Sequence, residues 1–177
     1  SLAYWTFGFI RMSVAGLTAQ AAGAEDESEA RAALVRGGVI GAGVGVILVL
    51  LQIPVGLLAF QLLGTGSEAS AETLEHGRVY FDIRIWGAPF ALASYAAFGW
   101  LTARGRTDFL MAASLFMTIL NIGLDYWFVV GLNWGAAGVA WGTLTAEIAG
   151  FFAAISFVLL IMKKQGGLTG HWRPGEF

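Results

Sequence analysis

The chain has 177 residues, 57% hydrophobic and only 12% charged, where a soluble domain carries roughly 25% charged residues; this composition places it among integral membrane proteins. Its formal net charge of −2 supplies no basic field for nucleic acid. The absence of cysteine excludes disulfides, thiol catalysis and Cys-zinc sites.

Taken in order, the chain divides into five apolar segments. It opens on Ser1 and an apolar helix, with no basic segment after a Met that would mark a signal peptide, and is expected to be a piece of a longer polypeptide. Segment one covers about 2–22 and is interrupted by Arg11, which either snorkels, pairs with a carboxylate, or takes a direct part in transport. The following GAEDESEARAALVR holds Glu25, Asp26, Glu27 and Glu29. These acids are expected to start a helix rather than bind metal, because Asp26 with Glu29 fits a capping box and acids suit the positive end of the helix dipole.

Segment two, about 35–63, carries Gly37, Gly41 and Gly45 at four-residue spacing, a stripe that lets another helix approach closely. Its GAGVG is no dinucleotide loop, since no strand precedes it. Pro54 is expected to kink the helix by removing one backbone bond. A polar loop is expected over Gly64 to Gly77, with His76 solvated, as is His171 in the tail. Segment three, about 80–103, begins in a mixed stretch where Asp82 and Arg84 are expected near the membrane boundary and Tyr80 and Trp86 suit an aromatic belt. Pro89 is expected to bend it.

Segment four, about 109–132, reads FLMAASLFMTILNIGLDYWFVVGL and is long enough to span a bilayer, which takes about 20 apolar residues. Segment five, about 136–162, carries a second close-packing stripe at Gly138, Gly142, Ala146 and Gly150. Residues 163–177 are expected to be a polar cytoplasmic linker. The expected fold is all-α: a polytopic membrane helix bundle of about five transmembrane helices over 1–162. Arg31, Arg36, Arg104, Arg106, Lys163, Lys164 and Arg173 fall on one side, which the positive-inside rule assigns to the cytoplasm.

Two pairs of polar residues interrupt the last two segments: Asn121 with Asp125, and Thr143 with Glu147. Each pair is four apart and so shares a helix face. A carboxylate at membrane depth costs at least roughly 2.5–3.5 kcal/mol on insertion scales and usually faces a bundle interior. Counting about 1.5 Å per residue from the tight turn between the segments, Asp125 lies about 10 Å down and Thr143 roughly 12 Å, Asn121 roughly 16 Å and Glu147 roughly 18 Å. Two layers are therefore expected, Asp125 with Thr143 and Asn121 with Glu147. Oxygen ligands of this kind suit a hard cation such as Na⁺, and a buried carboxyl can instead carry a proton. The bland alternative is that Asp125 pairs with Arg11 or caps a neighbouring backbone, and that Glu147 is structural.

Three stretches carry a family resemblance: FIRMSVAGLTAQAAGAEDESEA, YFDIRIWGAPFALASYAAFGWL and NIGLDYWFVVGLNWGAAGVAWGTLTAE. The chain resembles the multidrug and toxic compound extrusion (MATE) transporters, in their DinF-like branch. The resemblance implies helices two to six of the amino-terminal lobe of a twelve-helix transporter. The first helix and the carboxy-terminal lobe are then partners outside the chain. It implies a coupling-cation site at Asn121, Asp125 and Thr143, Na⁺ or H⁺ as the coupling ion with no other cofactor, and export of small, often cationic organic compounds across the cell membrane by alternating access. Three rivals remain open: a flippase for a lipid-linked substrate, whose cavity would need more cations than Arg11 and Arg84; an intramembrane enzyme, for which no HExxH, GxSxG or aspartate pair on facing helices is present; and a non-transporting assembly subunit.

Overall fold

The computed structural model of the chain describes residues 7–66 and 70–164, and all regular structure among them is helical. The seven α-helices are α1 (Phe9–Gly23), α2 (Glu27–Leu50), α3 (Gln52–Gly66), α4 (Ala71–Arg84), α5 (Ala88–Ala103), α6 (Thr107–Tyr126) and α7 (Gly135–Lys164). A short 3₁₀ turn, Ile85–Gly87, separates α4 from α5, and a π-helical turn, Trp127–Gly131, ends α6. Three stretches among the described residues are long and apolar enough to cross a membrane: Glu27–Leu50, Thr107–Gly131 and Gly135–Lys163.

Local chemistry explains the boundaries. Helix α1 closes with Glu25 in the left-handed region (φ 57°) while Asp26 N–H reaches back to Ala21 O at 2.8 Å, which satisfies carbonyls left open at the helix end. Asp26 then caps α2. Its Oδ1 accepts from the backbone N–H groups of Ser28 and Glu29, each at 3.0 Å. These bonds, the one from Glu29 foremost and then the Ser28 hydroxyl, hold the carboxyl below its usual range. The reciprocal half of the expected capping box is missing. The Glu29 carboxylate accepts from Arg36 at 2.9 Å, and the Asp26 N–H is already taken by Ala21.

The expected single helix over 35–63 is two helices, broken at Leu51. Pro54 is the cause: it has no N–H for the Leu50 carbonyl and its ring crowds that carbonyl. The interruption therefore appears three residues before the proline itself. The same rule acts at Pro89, which would have bonded Ile85 O; there the chain tightens into the 3₁₀ turn, with Ala88 N–H on Ile85 O instead. The polar loop expected over Gly64 to Gly77 is much shorter. Helix α3 runs to Gly66, and Ser70 caps α4 by accepting from Thr73 N–H at 3.2 Å. His76 is thus an exposed residue of α4, while His171 and the expected linker beyond 164 lie outside the described residues.

Helix α5 runs through the middle of the bundle and packs on α1, α2 and α7, while α6 packs chiefly on α7. The glycines of α2 make the closest approach. A Cβ at Gly41 would lie 2.5 Å from the Leu92 carbonyl oxygen, one at Gly45 would fall on the Pro89 backbone, and one at Gly37 would meet Val14 and Ala96. The main core gathers Val14, Leu34, Ala97, Trp100, Ala154 and Val158 among others. Trp100 is fully buried, its indole N–H donates to Ala30 O at 3.1 Å, and the Arg104 guanidinium lies 5.1 Å from its ring centroid. Arg104 also makes a two-bond ion pair with Glu27, tying the end of α5 to the start of α2.

Candidate functional site

Helices α6 and α7 bring the polar residues together. Asn121 and Asp125 lie one turn apart on α6 and are half-buried. On α7, Gly138, Gly142 and Gly150 face α6 along one ridge. A Cβ at Gly138 would sit 3.1 Å from the Phe128 backbone, and one at Gly150 would sit 2.9 Å from Met117 Sδ. At Gly142 a Cβ would fall on Asp125 Oδ1 and lie 3.1 Å from Asp125 N. The missing side chain is therefore the notch in which the carboxylate sits.

Asn121 Nδ2 donates to Thr143 Oγ1 at 3.2 Å, and that hydroxyl donates to Val139 O at 2.8 Å. The Asn121 side chain also interacts with the Asp125 carboxyl. Asp125 Oδ1 is nonetheless buried without a hydrogen-bond partner. An orphaned carboxylate oxygen in a bundle interior is costly. It leaves an acceptor free for a proton or a small cation. The Asn121 amide oxygen and the remaining lone pair of Thr143 are the neighbouring oxygen donors. Asp125 is the carboxylate of this cluster, and among the described residues no three His, Cys, Asp or Glu side chains gather to hold a metal ion.

The expected layers are not formed as drawn. Asn121, not Asp125, bonds Thr143, and Asp125 lies against Gly142. Glu147 does not join the cluster at all; it pairs with Arg84 on α4, with Nη1–Oε2 at 2.6 Å and Nη2–Oε1 at 2.8 Å. The reason is helical phase. Glu147 lies five positions past Gly142, about 140° round the helix, which turns it from α6 toward α4 and α5. Its neighbour Phe151 makes the same turn and meets Phe90 edge-on at 5.7 Å. Arg84, expected at the membrane boundary, is buried. No bond among the described residues joins Arg11 to Asp125, and the Arg11 side chain is exposed.

Two features had no signal in the sequence. The π turn begins two residues after Asp125; Leu132 N–H bonds Trp127 O at 3.0 Å and Trp134 N–H bonds Phe128 O at 3.0 Å, and Trp127, Phe128 and Trp134 stack with centroids 6.0 and 5.2 Å apart. Such turns often accompany functional sites. A cavity of about 360 Å³ also lies between α3 and α4, lined by Gln52, Gly56, Arg78, Asp82 and Trp86, on other elements than the Asn121 cluster.

The fold and this site define a multi-pass membrane helix bundle with a carboxylate seated between two of its spanning helices. A family model, MatE, matches residues 1–127, and the chain belongs to the MatE family. It is 38% identical over 162 residues to DNA damage-inducible protein F of Escherichia coli (strain K12), a match covering 89% of this chain and 34% of that relative. Its fold is similar to that of a solved multidrug resistance MATE family transporter of the MOP superfamily in an inward-facing conformation, with a TM-score of 0.77 and 22% identity, over 85% of this chain and 33% of that one. The chain therefore spans about a third of the length of these relatives. Asn121 and Asp125 fall inside the stretch matched by the family model, and Thr143 and Glu147 fall beyond it.

Proposed function

We propose that this chain forms the coupling-cation part of an efflux transporter that exchanges an inward H⁺ or Na⁺ for an outward, often cationic, organic compound. The observation that carries the reading is the Asp125 carboxylate, with one oxygen buried and unpartnered in the notch at Gly142 beside the Asn121–Thr143 bond. Membership of the MatE family supports transport as the activity. In this reading Asp125 takes up the cation, Asn121 and Thr143 complete its oxygen shell, and loading draws α6 and α7 together. That movement biases the protein between its inward- and outward-open states, as any ligand with different affinities for two states must. A flippase for a lipid-linked anion is less favoured, because the buried cation Arg84 is already engaged by Glu147.

The test is dye efflux by the full-length protein in proteoliposomes under an imposed H⁺ or Na⁺ gradient. Asp125→Asn keeps the shape and removes the charge, and is expected to abolish gradient-driven efflux in protein that still folds. Undiminished gradient-driven efflux in that variant would overturn the assignment.

A further inference from the structure

Arg84 and Glu147 stand 63 positions apart in sequence and meet in a two-bond ion pair with side chains only 9% and 16% exposed. A planar guanidinium held by both carboxylate oxygens fixes orientation as well as distance. The place of the pair is the informative part. Arg84 is the last residue of α4, and the 3₁₀ turn that parts α4 from α5 begins at the next residue. Gly87, the end of that turn, lies against the pair; a Cβ there would come 2.5 Å from Glu147 Oε2, 3.2 Å from Leu144 Cδ1 and 3.4 Å from Arg84 Nη1. Glu147 in turn lies one helical turn beyond Thr143 on α7. That turn of α7 therefore holds Thr143 to Asn121 on α6 and, about 40° further round the helix, Glu147 to the break between α4 and α5.

Short breaks of this kind are where helices absorb changes of backbone angle. A continuous helix such as α7 moves as one body, so a shift at the break pulls on Glu147 and displaces Thr143 by a similar amount. We propose that the Arg84–Glu147 pair is a positioning pair for cation coupling: it sets the depth and rotation of α7, and through them the contact between Thr143 and Asn121. The pair touches neither the cation nor the exported compound. This inference rests on the reading of Asn121, Asp125 and Thr143 as the cation site.

The test uses the full-length protein in proteoliposomes with Na⁺ or H⁺ as the probe ion, measuring the ion concentration for half-maximal dye efflux, the half-saturating dye concentration, and folded yield. Glu147→Gln, Arg84→Gln and Gly87→Ala are compared; the last disturbs the pair with both charges kept. Each is expected to weaken the ion dependence by about tenfold or more, the usual cost of losing a group that orients a ligand, with dye half-saturation unchanged. The double variant of Arg84→Gln with Glu147→Gln is expected to be no worse than either single, as for two parts of one unit. Parental ion dependence in folded Glu147→Gln overturns the inference. So does loss of folded protein in the charge variants together with parental ion dependence in Gly87→Ala, which would make the pair a folding element only. Asp125→Asn in the same vesicles separates the two readings: if it keeps ion-driven efflux the cation site itself is misassigned, and if it loses efflux while the pair variants behave as parent, only the positioning role fails.

Discussion

At the scale of single residues, the site depends as much on an absent side chain as on the polar ones present. Gly142 belongs to a small-residue stripe whose general use is close helix approach, yet its particular partner is the Asp125 carboxylate. Gly142→Ala would place a methyl group on Asp125 Oδ1 and push the carboxyl out of the α6–α7 seam. The expected result is a loss of cation-driven efflux close to that of Asp125→Asn, with all three oxygen-bearing residues still in place. Gly138→Ala, whose Cβ would come nearest to Phe128 at 3.1–3.2 Å, is expected to lower folded yield without that selective loss. Ion-dependent efflux assays on the two variants side by side check this; equal effects would show that packing alone is at stake. Asn121 and Asp125 are readable as candidates because two polar groups stand out in an apolar run. The bond of Asn121 to Thr143 and the seat of Asp125 are not, because both depend on how far each side chain reaches across the seam. Glu147 was placed on the wrong neighbour for a related reason. Spacing of four from Thr143 puts it on the same side of α7, but Arg84 lies 63 positions away in sequence, and no local pattern announces that contact.

At the scale of elements, prolines and glycines set the architecture. Pro54 and Pro89 were readable as interruptions, but the sequence shows only the proline, while the break falls where the carbonyl four residues earlier loses its donor. Hence the change at Leu51 and the 3₁₀ turn beginning at Ile85. The stretch that reads as a long polar loop is largely helix: a polar helix outside the hydrocarbon has no apolar periodicity to reveal it, and α4 begins in such a stretch. The glycines of α2 divide cleanly. Gly41 and Gly45 face the backbone of α5, whereas a Cβ at Gly38 or Gly43 would meet nothing within 4 Å. Gly41→Ala and Gly45→Ala must force α2 and α5 apart, because backbone cannot rotate aside as a side chain can; each is expected to cost about 1–3 kcal/mol or more. Gly38→Ala and Gly43→Ala gain helix propensity without a clash and are expected to stabilise by about 0.4–1 kcal/mol. Thermal unfolding of the detergent-solubilised protein orders the four variants, and equal midpoints across them would contradict the packing seen here.

At the scale of the whole molecule, length and charge fix how the bundle sits in a bilayer. Helices α2 and α3 with Leu51 run from Glu27 to Gly66, 66 − 27 + 1 = 40 residues. Helix α2 alone, with 24 residues, rises about 36 Å at about 1.5 Å per residue, already more than the roughly 30 Å hydrocarbon thickness. Glu27 is tied to Arg104, and Arg36, Arg106 and Lys163 lie toward the same end of the helices, so the positive-inside rule predicts this end on the cytoplasmic side. Helix α3 then begins near the opposite surface, and the start of α4 is expected beyond it. The spanning window of α6 is only 6% buried against 33% for α7, which leaves α6 as the outer wall of the described bundle, free to meet lipid or further protein. The chain has no cysteine of its own, so a cysteine introduced at an exposed position is the single thiol of these 177 residues. A membrane-impermeant thiol reagent on intact cells is expected to label Glu72→Cys, at the start of α4, and Leu132→Cys, after the π turn, but to label Thr107→Cys only once the membrane is opened. Labelling of Thr107→Cys alone in intact cells would invert the orientation. Labelling of Leu132→Cys without Glu72→Cys would mean that the α3–α4 hairpin folds back into the membrane, and the length argument would fail with it.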